Sequence, residues 1–120
     1  MARIAIFAGH GGSDPGALGN GLRESDLNLA ISNAVSGILR GWGYDVINNR
    51  TTDVNRSITQ DANLANSSNV AAMVEIHFNS NPGTPGTGSE AFVSLNDTGA
   101  ARRLAESILA GLAGLGFRNR

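Results

Sequence analysis

The sequence has no cysteine and no lysine, and these two absences exclude several classes of protein. Without cysteine there is no disulfide framework, no thiolate zinc finger and no cysteine nucleophile. Without lysine there is no phosphate-binding loop of the G-x-x-x-x-G-K-[ST] type. All nine basic residues are arginines, and with ten acidic residues they give a net charge of −1. A near-neutral chain with scattered arginines does not predict a nucleic-acid partner.

Aromatic residues and long apolar runs are also scarce. Only 5% of the residues are aromatic, which disfavours stacking platforms for single-stranded nucleic acid. No apolar run approaches the roughly 18 residues of a membrane span, so we expect no membrane partner. The apolar run at the N-terminus is too short for a secretory signal peptide. The length suits a single domain over residues 1–120, which we expect to be a monomer.

Short apolar runs alternate with helical patterns, which predicts an α/β domain. The predicted strands span residues 3–8, 44–47, 70–78 and 90–95, and the third is expected at the centre of the sheet. One helix is expected to begin at Ser25 as its N-cap and to end near Gly41. Two more are predicted over 58–66 and 98–115, with a turn-rich loop over 79–88. The expected apolar faces are Leu27, Ala30, Ile31, Ala34, Val35, Ile38 and Leu39 in the first helix, and Leu104, Ile108, Leu112 and Leu115 in the last.

Both histidines fall at the ends of predicted strands. His10 follows the first strand and His77 ends the third. If these strands run parallel, both imidazoles lie at the edge of the sheet where ligands bind in open α/β folds. A transition metal could bind between them with a third ligand, for which Glu24, beside the start of the first helix, is the best candidate. A lone histidine at a strand end is more often a polar loop residue or a hydrogen-bonded core residue, and the pair makes a metal site as good an interpretation as this one.

Four segments of the sequence occur in the order and spacing of a known family. The first is AGHGGSDPGALGNGLRESDLNLAIS, residues 8–32. The others are Arg50-Thr-Thr-Asp53, residues 75–79 (EIHFN) and residues 86–90 (GTGSE). Together they resemble the zinc-dependent N-acetylmuramoyl-L-alanine amidases of the amidase-3 type, which include bacterial autolysins and phage endolysins. The last three segments resemble the family's Arg-x-x-Asp element, its Ser-Ile-His-x-Asn and the turn that follows. The resemblance implies a mixed, mostly parallel twisted sheet flanked by helices.

The same resemblance implies a function. It makes His10, Glu24 and His77 the ligands of one zinc ion per chain, which would activate water and polarise the scissile carbonyl. The substrate would be peptidoglycan, a muramyl peptide, cut at the amide between N-acetylmuramic acid and the L-alanine of the stem peptide. We therefore expect action on the cell wall, with cytoplasmic accumulation and phage-type release, or a leader already removed. Two alternatives stay open: a metal-containing cell-wall-binding module without turnover, and another zinc-dependent hydrolase of small amides.

Several positions depart from the family pattern or have open roles. The general-base glutamate of the family lies on a strand beyond Arg120, so we expect a domain that is incomplete at its C-terminus and weakly active or inactive. Glu75, where the family more often has serine, shares a strand face with His77; it could orient the imidazole, pair with an arginine or act as a substitute base. Asn79 and Glu90 are candidate substrate contacts. Asp61, where the family often has a basic residue, is expected to be a solvated surface charge.

Overall fold

The computed structural model describes residues 2–80 and 87–120. The chain divides into two compact units, Met1–Ser80 and Asn81–Arg120. The single domain expected over 1–120 stays a prediction. Residues 81–86, most of the predicted turn-rich loop, lie outside the described residues. The elements of the first unit are β1 (Arg3–Ala8), β2 (Leu18–Gly19), β3 (Leu22–Arg23), α1 (Glu24–Gly41), β4 (Asp45–Ile47), α2 (Ile58–Ser67) and β5 (Ala72–Ile76).

The first unit is built on a three-stranded parallel sheet in the order β4-β1-β5. β1 is the middle strand, and its residues from Ala5 to Ala8 are all buried, as expected for a strand that is apolar on both faces. The prediction that the third strand is central is wrong for the described residues. β5 alternates between half-buried and exposed positions, and Met73 and Glu75 lie on its exposed side. Such alternation fits the edge of the sheet.

α1 begins one residue earlier than predicted, and Ser25 is not its N-cap. Arg23 occupies the cap position, and among the described residues no side chain caps the helix. The first backbone N–H groups are satisfied by the preceding loop: Glu24 N–H donates to the carbonyl of Ala17 at 2.9 Å, and Ser25 N–H donates to that of Pro15 at 3.0 Å. Ser25 is buried inside the first turn, because the loop supplies the acceptors that a capping side chain would otherwise provide.

The buried face of α1 is polar, contrary to the apolar face predicted from its periodicity. Asn28, Ser32 and Ser36 are fully buried, whereas Ile31 is 43% and Ile38 54% exposed. Small polar side chains let the helix lie close to the sheet and hydrogen-bond it: the Ser32 hydroxyl donates to the carbonyl of Ile6 at 3.5 Å. Apolar periodicity identified the helix correctly but not the side that packs on the sheet.

The other elements of this unit were predicted in part. β4 starts one residue later than expected and α2 extends one residue further. Ser57 and Gln60 form a reciprocal capping box at the start of α2, which explains why a segment rich in Asn and Ser is helical. The short β2–β3 hairpin was not predicted. Its two central residues, Asn20 and Gly21, both have positive φ, as the tight turn of a two-residue hairpin requires.

The second unit contains α3 (Ala100–Gly114), shorter at both ends than predicted. Leu104 and Leu112 of its expected apolar face are half-buried, but Leu115 is exposed. The strand predicted over 90–95 is absent from the described residues. Only Ser89 forms a bridge, with Asn119, and Phe92 and Leu95 are exposed. An apolar run forms a strand only when another backbone pairs with it. In the described parts of the chain, no helix is long and apolar enough to span a bilayer.

Candidate metal centre

Three elements of the first unit bring His10, Glu24 and His77 together. His10 lies two residues after β1, Glu24 is the first residue of α1, and His77 directly follows β5. Because β1 and β5 are parallel neighbours, their carboxyl ends meet at one edge of the sheet. One potential ligand atom from each side chain lies within 4.8 Å of the other two. The predicted convergence of these residues is thus found in the structure.

The ligand atoms converge on one carboxylate oxygen. Glu24 Oε1 lies 3.3 Å from His10 Nε2 and 3.0 Å from His77 Nδ1. The two imidazole rings are perpendicular, with centroids 5.1 Å apart. Ligand atoms placed about 2.0–2.1 Å from a tetrahedral zinc lie roughly 3.3 Å from one another. The spacing and the two-histidine, one-carboxylate donor set therefore fit a zinc ion.

Glu24 is buried at 7% exposure and held by backbone donors. Ala17 N–H donates to its Oε2 at 2.8 Å, and Phe78 N–H donates to its Oε1 at 3.1 Å. Burial raises the pKa of Glu24, but the hydrogen bonds from Ala17, His77 and Phe78 together bring that pKa below its usual value. The carboxylate is therefore ionised and oriented at neutral pH, as a metal ligand must be.

Each histidine also contacts a second carboxylate on its far side. His10 Nδ1 lies 2.7 Å from Asp14 Oδ2, and His77 Nε2 lies 3.0 Å from Glu75 Oε2. The hydrogen bond with His10 lowers the pKa of Asp14, and the one with His77 lowers the pKa of Glu75. The hydrogen bond to Glu75, with a further contribution from Glu24, raises the pKa of His77 against the effect of its burial. Each imidazole thus lies between Glu24 and a carboxylate of its own.

Two glycines leave the space that the cluster occupies. A Cβ added at Gly9 would overlap the imidazole of His77. A Cβ added at Gly16 would lie 2.6 Å from Glu24 Oε2 and 2.7 Å from His10 Cδ2, and Gly16 also has a φ of +68°. The glycine-rich segment therefore packs directly against the candidate ligands, which requires glycine at these positions.

The segment after β4 holds the backbone around His10. Asn49 accepts a hydrogen bond from Ala8 N–H and donates one to the Ala8 carbonyl, both at 2.9 Å, which extends the pairing at the end of β1. Asp53 accepts from Gly12 N–H at 2.8 Å, and Asn55 accepts from Ser13 N–H at 2.8 Å. Asn49 and Asn55 were not predicted as supporting residues. Their only signal in the sequence is a run of polar residues directly after a strand.

Arg50 joins the two ligand-bearing backbone segments. One of its terminal nitrogens donates to the carbonyl of Gly9 at 2.9 Å and to that of Ser25 at 3.0 Å. Gly9 precedes His10 and Ser25 follows Glu24, so a single guanidinium sets the spacing of both. Arg50 is 4% exposed, and this burial lowers its pKa. The Arg-x-x-Asp element thus supports the site through Arg50 and Asp53 without contributing a ligand.

The remaining candidate residues lie outside the cluster. Asn79 is exposed, three residues beyond β5. Glu90 belongs to the second unit, where it pairs with Arg120 at 3.8 Å. The expectation that Asp61 is a solvated charge is wrong. Its carboxylate lies 2.9 Å from Arg56 Nε and accepts from Asn49 at 3.0 Å, with its side chain only 15% exposed, because α2 turns it toward the end of β1.

Comparisons with known proteins agree on one family. The sequence matches the Amidase_3 family model, described as N-acetylmuramoyl-L-alanine amidase, over residues 4–120. The sporulation-specific N-acetylmuramoyl-L-alanine amidase of Bacillus subtilis is 43% identical over 86 residues, which cover 70% of this chain and 34% of that protein. The N-acetylmuramoyl-L-alanine amidase LytC of Bacillus subtilis is 37% identical over 119 residues, which cover 98% of this chain and 24% of that protein. The chain thus spans about a quarter to a third of these two relatives.

Solved structures agree with the sequence comparisons. An N-acetylmuramoyl-L-alanine amidase from Clostridium difficile 630 superimposes with a TM-score of 0.93 at 30% identity, over 99% of this chain and 67% of that one. The catalytic domain of the amidase CwlV from Bacillus (Paenibacillus) polymyxa var. colistinus gives a TM-score of 0.90 at 27% identity, over 100% of this chain and 68% of that one. The expected fold, an α/β domain with a mostly parallel sheet flanked by helices, is confirmed.

Proposed function

Because this chain belongs to the N-acetylmuramoyl-L-alanine amidase family, we propose that it hydrolyses the amide between N-acetylmuramic acid and the L-alanine of the stem peptide. The observation that carries the proposal is the convergence of His10, Glu24 and His77 at one edge of the sheet. The substrate is then peptidoglycan, and the site of action is the cell wall.

We propose that His10, Glu24 and His77 hold one zinc ion per chain. Two histidines and a carboxylate form a donor set of catalytic zinc sites, in which a further position stays open for water or substrate. When bound, zinc supplies Lewis-acid activation of water and of the amide carbonyl. The protein contributes an ionised Glu24 held by two backbone donors, and two imidazoles each fixed by a second carboxylate.

Glu75 and Asn79 are the remaining proposed contributors of the first unit. Three roles were expected for Glu75: orienting an imidazole, pairing with an arginine or acting as a substitute base. Its 3.0 Å contact with His77 Nε2 favours the first. Asn79 follows His77 by two residues and is exposed, so we assign it to substrate binding; Glu90 is assigned the same role from the sequence alone. Asn79→Ala is then expected to raise KM for muramyl peptides more than it lowers kcat.

The reaction is tested on purified cell walls. The protein with added zinc should release free amino groups from peptidoglycan without releasing reducing sugars, because an amidase cuts no glycosidic bond. Reducing sugars would identify a glycosidase and overturn the proposal. Zinc binding with no released amino groups would favour the binding-module alternative or the weak or absent activity expected from the sequence. Cleavage of acyl amino acids but not of muramyl peptides would favour another amide hydrolase.

The metal assignment has a separate test. Elemental analysis should find about one zinc per chain, and His77→Ala should abolish it. Met73→Ala is the matched control. Met73 lies four residues before His77, on the exposed side of β5, and is 44% exposed. It is not one of the three candidate ligands. Unchanged zinc content in His77→Ala would show that the ligand assignment is wrong.

A further inference from the structure

Glu75 lies on the exposed side of β5, and His77 follows it by two residues, directly after the strand. The pair is close enough for a hydrogen bond, with Glu75 Oε2 at 3.0 Å from His77 Nε2. Both side chains are partly exposed, so the protein does not need this contact to fill its interior. The position is also the one where the family resemblance leads us to expect serine.

The contact with Glu75 determines which nitrogen of His77 is available to a metal. A neutral imidazole carries its proton on one ring nitrogen and a lone pair on the other. His77 has an acceptor-only carboxylate at each ring nitrogen, Glu24 at Nδ1 and Glu75 at Nε2. A metal bound beside Glu24 needs the lone pair of the nitrogen that faces it, so a metal-bound His77 carries its proton on Nε2, where Glu75 accepts it. The lone pair is then on Nδ1, the atom that lies 3.0 Å from Glu24 Oε1.

His10 has the opposite arrangement. Its Nδ1 lies 2.7 Å from Asp14 Oδ2, and its Nε2 faces Glu24 Oε1 at 3.3 Å. The same reasoning places the proton of His10 on Nδ1 and its lone pair on Nε2. The two histidines therefore present different nitrogens to the space beside Glu24, and in each case a carboxylate on the far side determines which one.

We propose that Glu75 is a positioning residue that fixes the orientation and tautomer of His77, so that His77 binds zinc through Nδ1 while His10 binds through Nε2. This rests on the proposed zinc site and adds to it the ligating atoms and a residue that strengthens metal binding. A carboxylate that accepts a hydrogen bond from a ligating histidine typically changes metal affinity about 10- to 100-fold.

Zinc affinity, measured by competition with a chromophoric chelator on the whole 120-residue chain, is the first test. Glu75→Ala should weaken zinc binding about 10- to 100-fold. Glu75→Gln keeps an acceptor oxygen without the charge and should fall between Glu75→Ala and the wild type. Met73→Ala, on the same strand face, should bind zinc as the wild type does. Chemical denaturation of each variant without zinc checks that the fold is retained.

The ring nitrogens are assigned directly by NMR of the zinc-loaded protein with 15N-labelled histidine. We expect the proton of His77 on Nε2 and that of His10 on Nδ1. In Glu75→Ala the pattern of His77 should change or broaden, whereas that of His10, which Asp14 holds, should not. A purely structural role for Glu75 would leave the tautomer of His77 unchanged.

The possible failures are distinguishable. If the wild type binds no zinc, the proposed metal centre and the role of Glu75 both fail. If the wild type binds zinc and Glu75→Ala binds it within about twofold, only the role of Glu75 is wrong, since a supporting carboxylate is worth at least about tenfold. An equal loss of zinc affinity in Met73→Ala would mean that the effect comes from disturbing β5 and not from Glu75. A proton on Nδ1 of His77 would show that His77 does not bind zinc through that atom.

Discussion

The two compact units of this chain differ in how many of their residues are buried. In Met1–Ser80 the middle strand is enclosed from Ala5 to Ala8, and polar side chains such as Asn28 and Arg50 are buried beside it. Among residues 87–120 of the second unit, none is buried, and Phe92 is 87% exposed. The candidate metal centre lies in the unit with the enclosed strand. Buried polar groups must be hydrogen-bonded, and those bonds fix the backbone that carries the ligands.

The largest difference in stability is expected between alanine variants of two phenylalanines, one in each unit. Phe7 is fully buried in β1, so Phe7→Ala should lower the free energy of unfolding by about 3–5 kcal/mol. Phe92→Ala removes an exposed ring and should change that free energy by less than about 0.5 kcal/mol. Urea denaturation of both variants measures the difference. Equal losses would mean that residues 87–120 pack as tightly as β1.

A smaller difference is expected between a buried and an exposed arginine. Arg50→Met removes the hydrogen bonds to the carbonyls of Gly9 and Ser25 and should destabilise the protein by about 2–3 kcal/mol. It should also weaken zinc binding, because those carbonyls flank His10 and Glu24. Arg102→Met, at an exposed position paired only at 4.0 Å with Glu106, should change stability by less than about 0.5 kcal/mol. Denaturation and zinc titration should separate the variants; similar results for both would contradict the role given to Arg50.

Alanine substitutions at two glycines should change the stability of the protein in opposite directions. Gly16 has positive φ, and a Cβ there meets Glu24 and His10, so Gly16→Ala should destabilise the protein by at least about 1–2 kcal/mol and reduce zinc binding. Gly111 lies inside α3 with open space around it, so Gly111→Ala should stabilise the helix by about 0.5–1 kcal/mol. Thermal unfolding with and without zinc measures both. A stabilising Gly16→Ala would show that the glycine-rich segment is not packed against the ligands.

The smallest effect is expected at the start of α3 and depends on pH. The carboxylate of Asp97 accepts hydrogen bonds from the N–H groups of Ala101 and Arg102, both at 3.1 Å. The bond from Ala101, followed by that from Arg102, lowers the pKa of Asp97 in the folded state. A carboxyl group whose pKa is lower in the folded state than its unfolded value of about 3.9 stabilises the protein at pH values above about 3.9. This stabilisation is lost as the pH falls through the folded-state pKa. Asp97→Ala should therefore be less stable than the wild type at neutral pH, and denaturation at a series of pH values should show this difference shrinking as the pH falls below about 3.9.

Apolar patterning predicted the existence of most elements. β1 was predicted with the bounds that the structure shows, and α1, β4 and α2 differ from the prediction by one or two residues at their ends. These segments have strong local signals: a continuous apolar run, a helical period or a capping pair. The strand over 90–95 had the same kind of signal but does not form among the described residues, because strand formation depends on a pairing partner that a local pattern does not specify.

The candidate ligands were identified by residue type and position alone. Histidines are rare in this chain, and both fall at the ends of predicted strands, so a parallel sheet was enough to place them together. The supporting residues were harder to predict. Asn49, Asn28 and Arg50 act through backbone groups that are distant in sequence, and polar residues of these types usually lie on the surface.

By itself, the sequence determined the α/β class, the family and the three candidate ligands, because these depend on periodicity and on residue types at fixed spacings. Only the tertiary structure decided which strand lies in the middle, which face of α1 is buried, and which nitrogen of each histidine faces Glu24. These three features depend on hydrogen bonds between segments about 20 to 50 residues apart. The absent cysteines and lysines excluded other chemistries. Asp14 and Glu75 are close in sequence to the histidines that they contact, whereas Glu24 reaches His77 only because the fold brings together residues 53 positions apart.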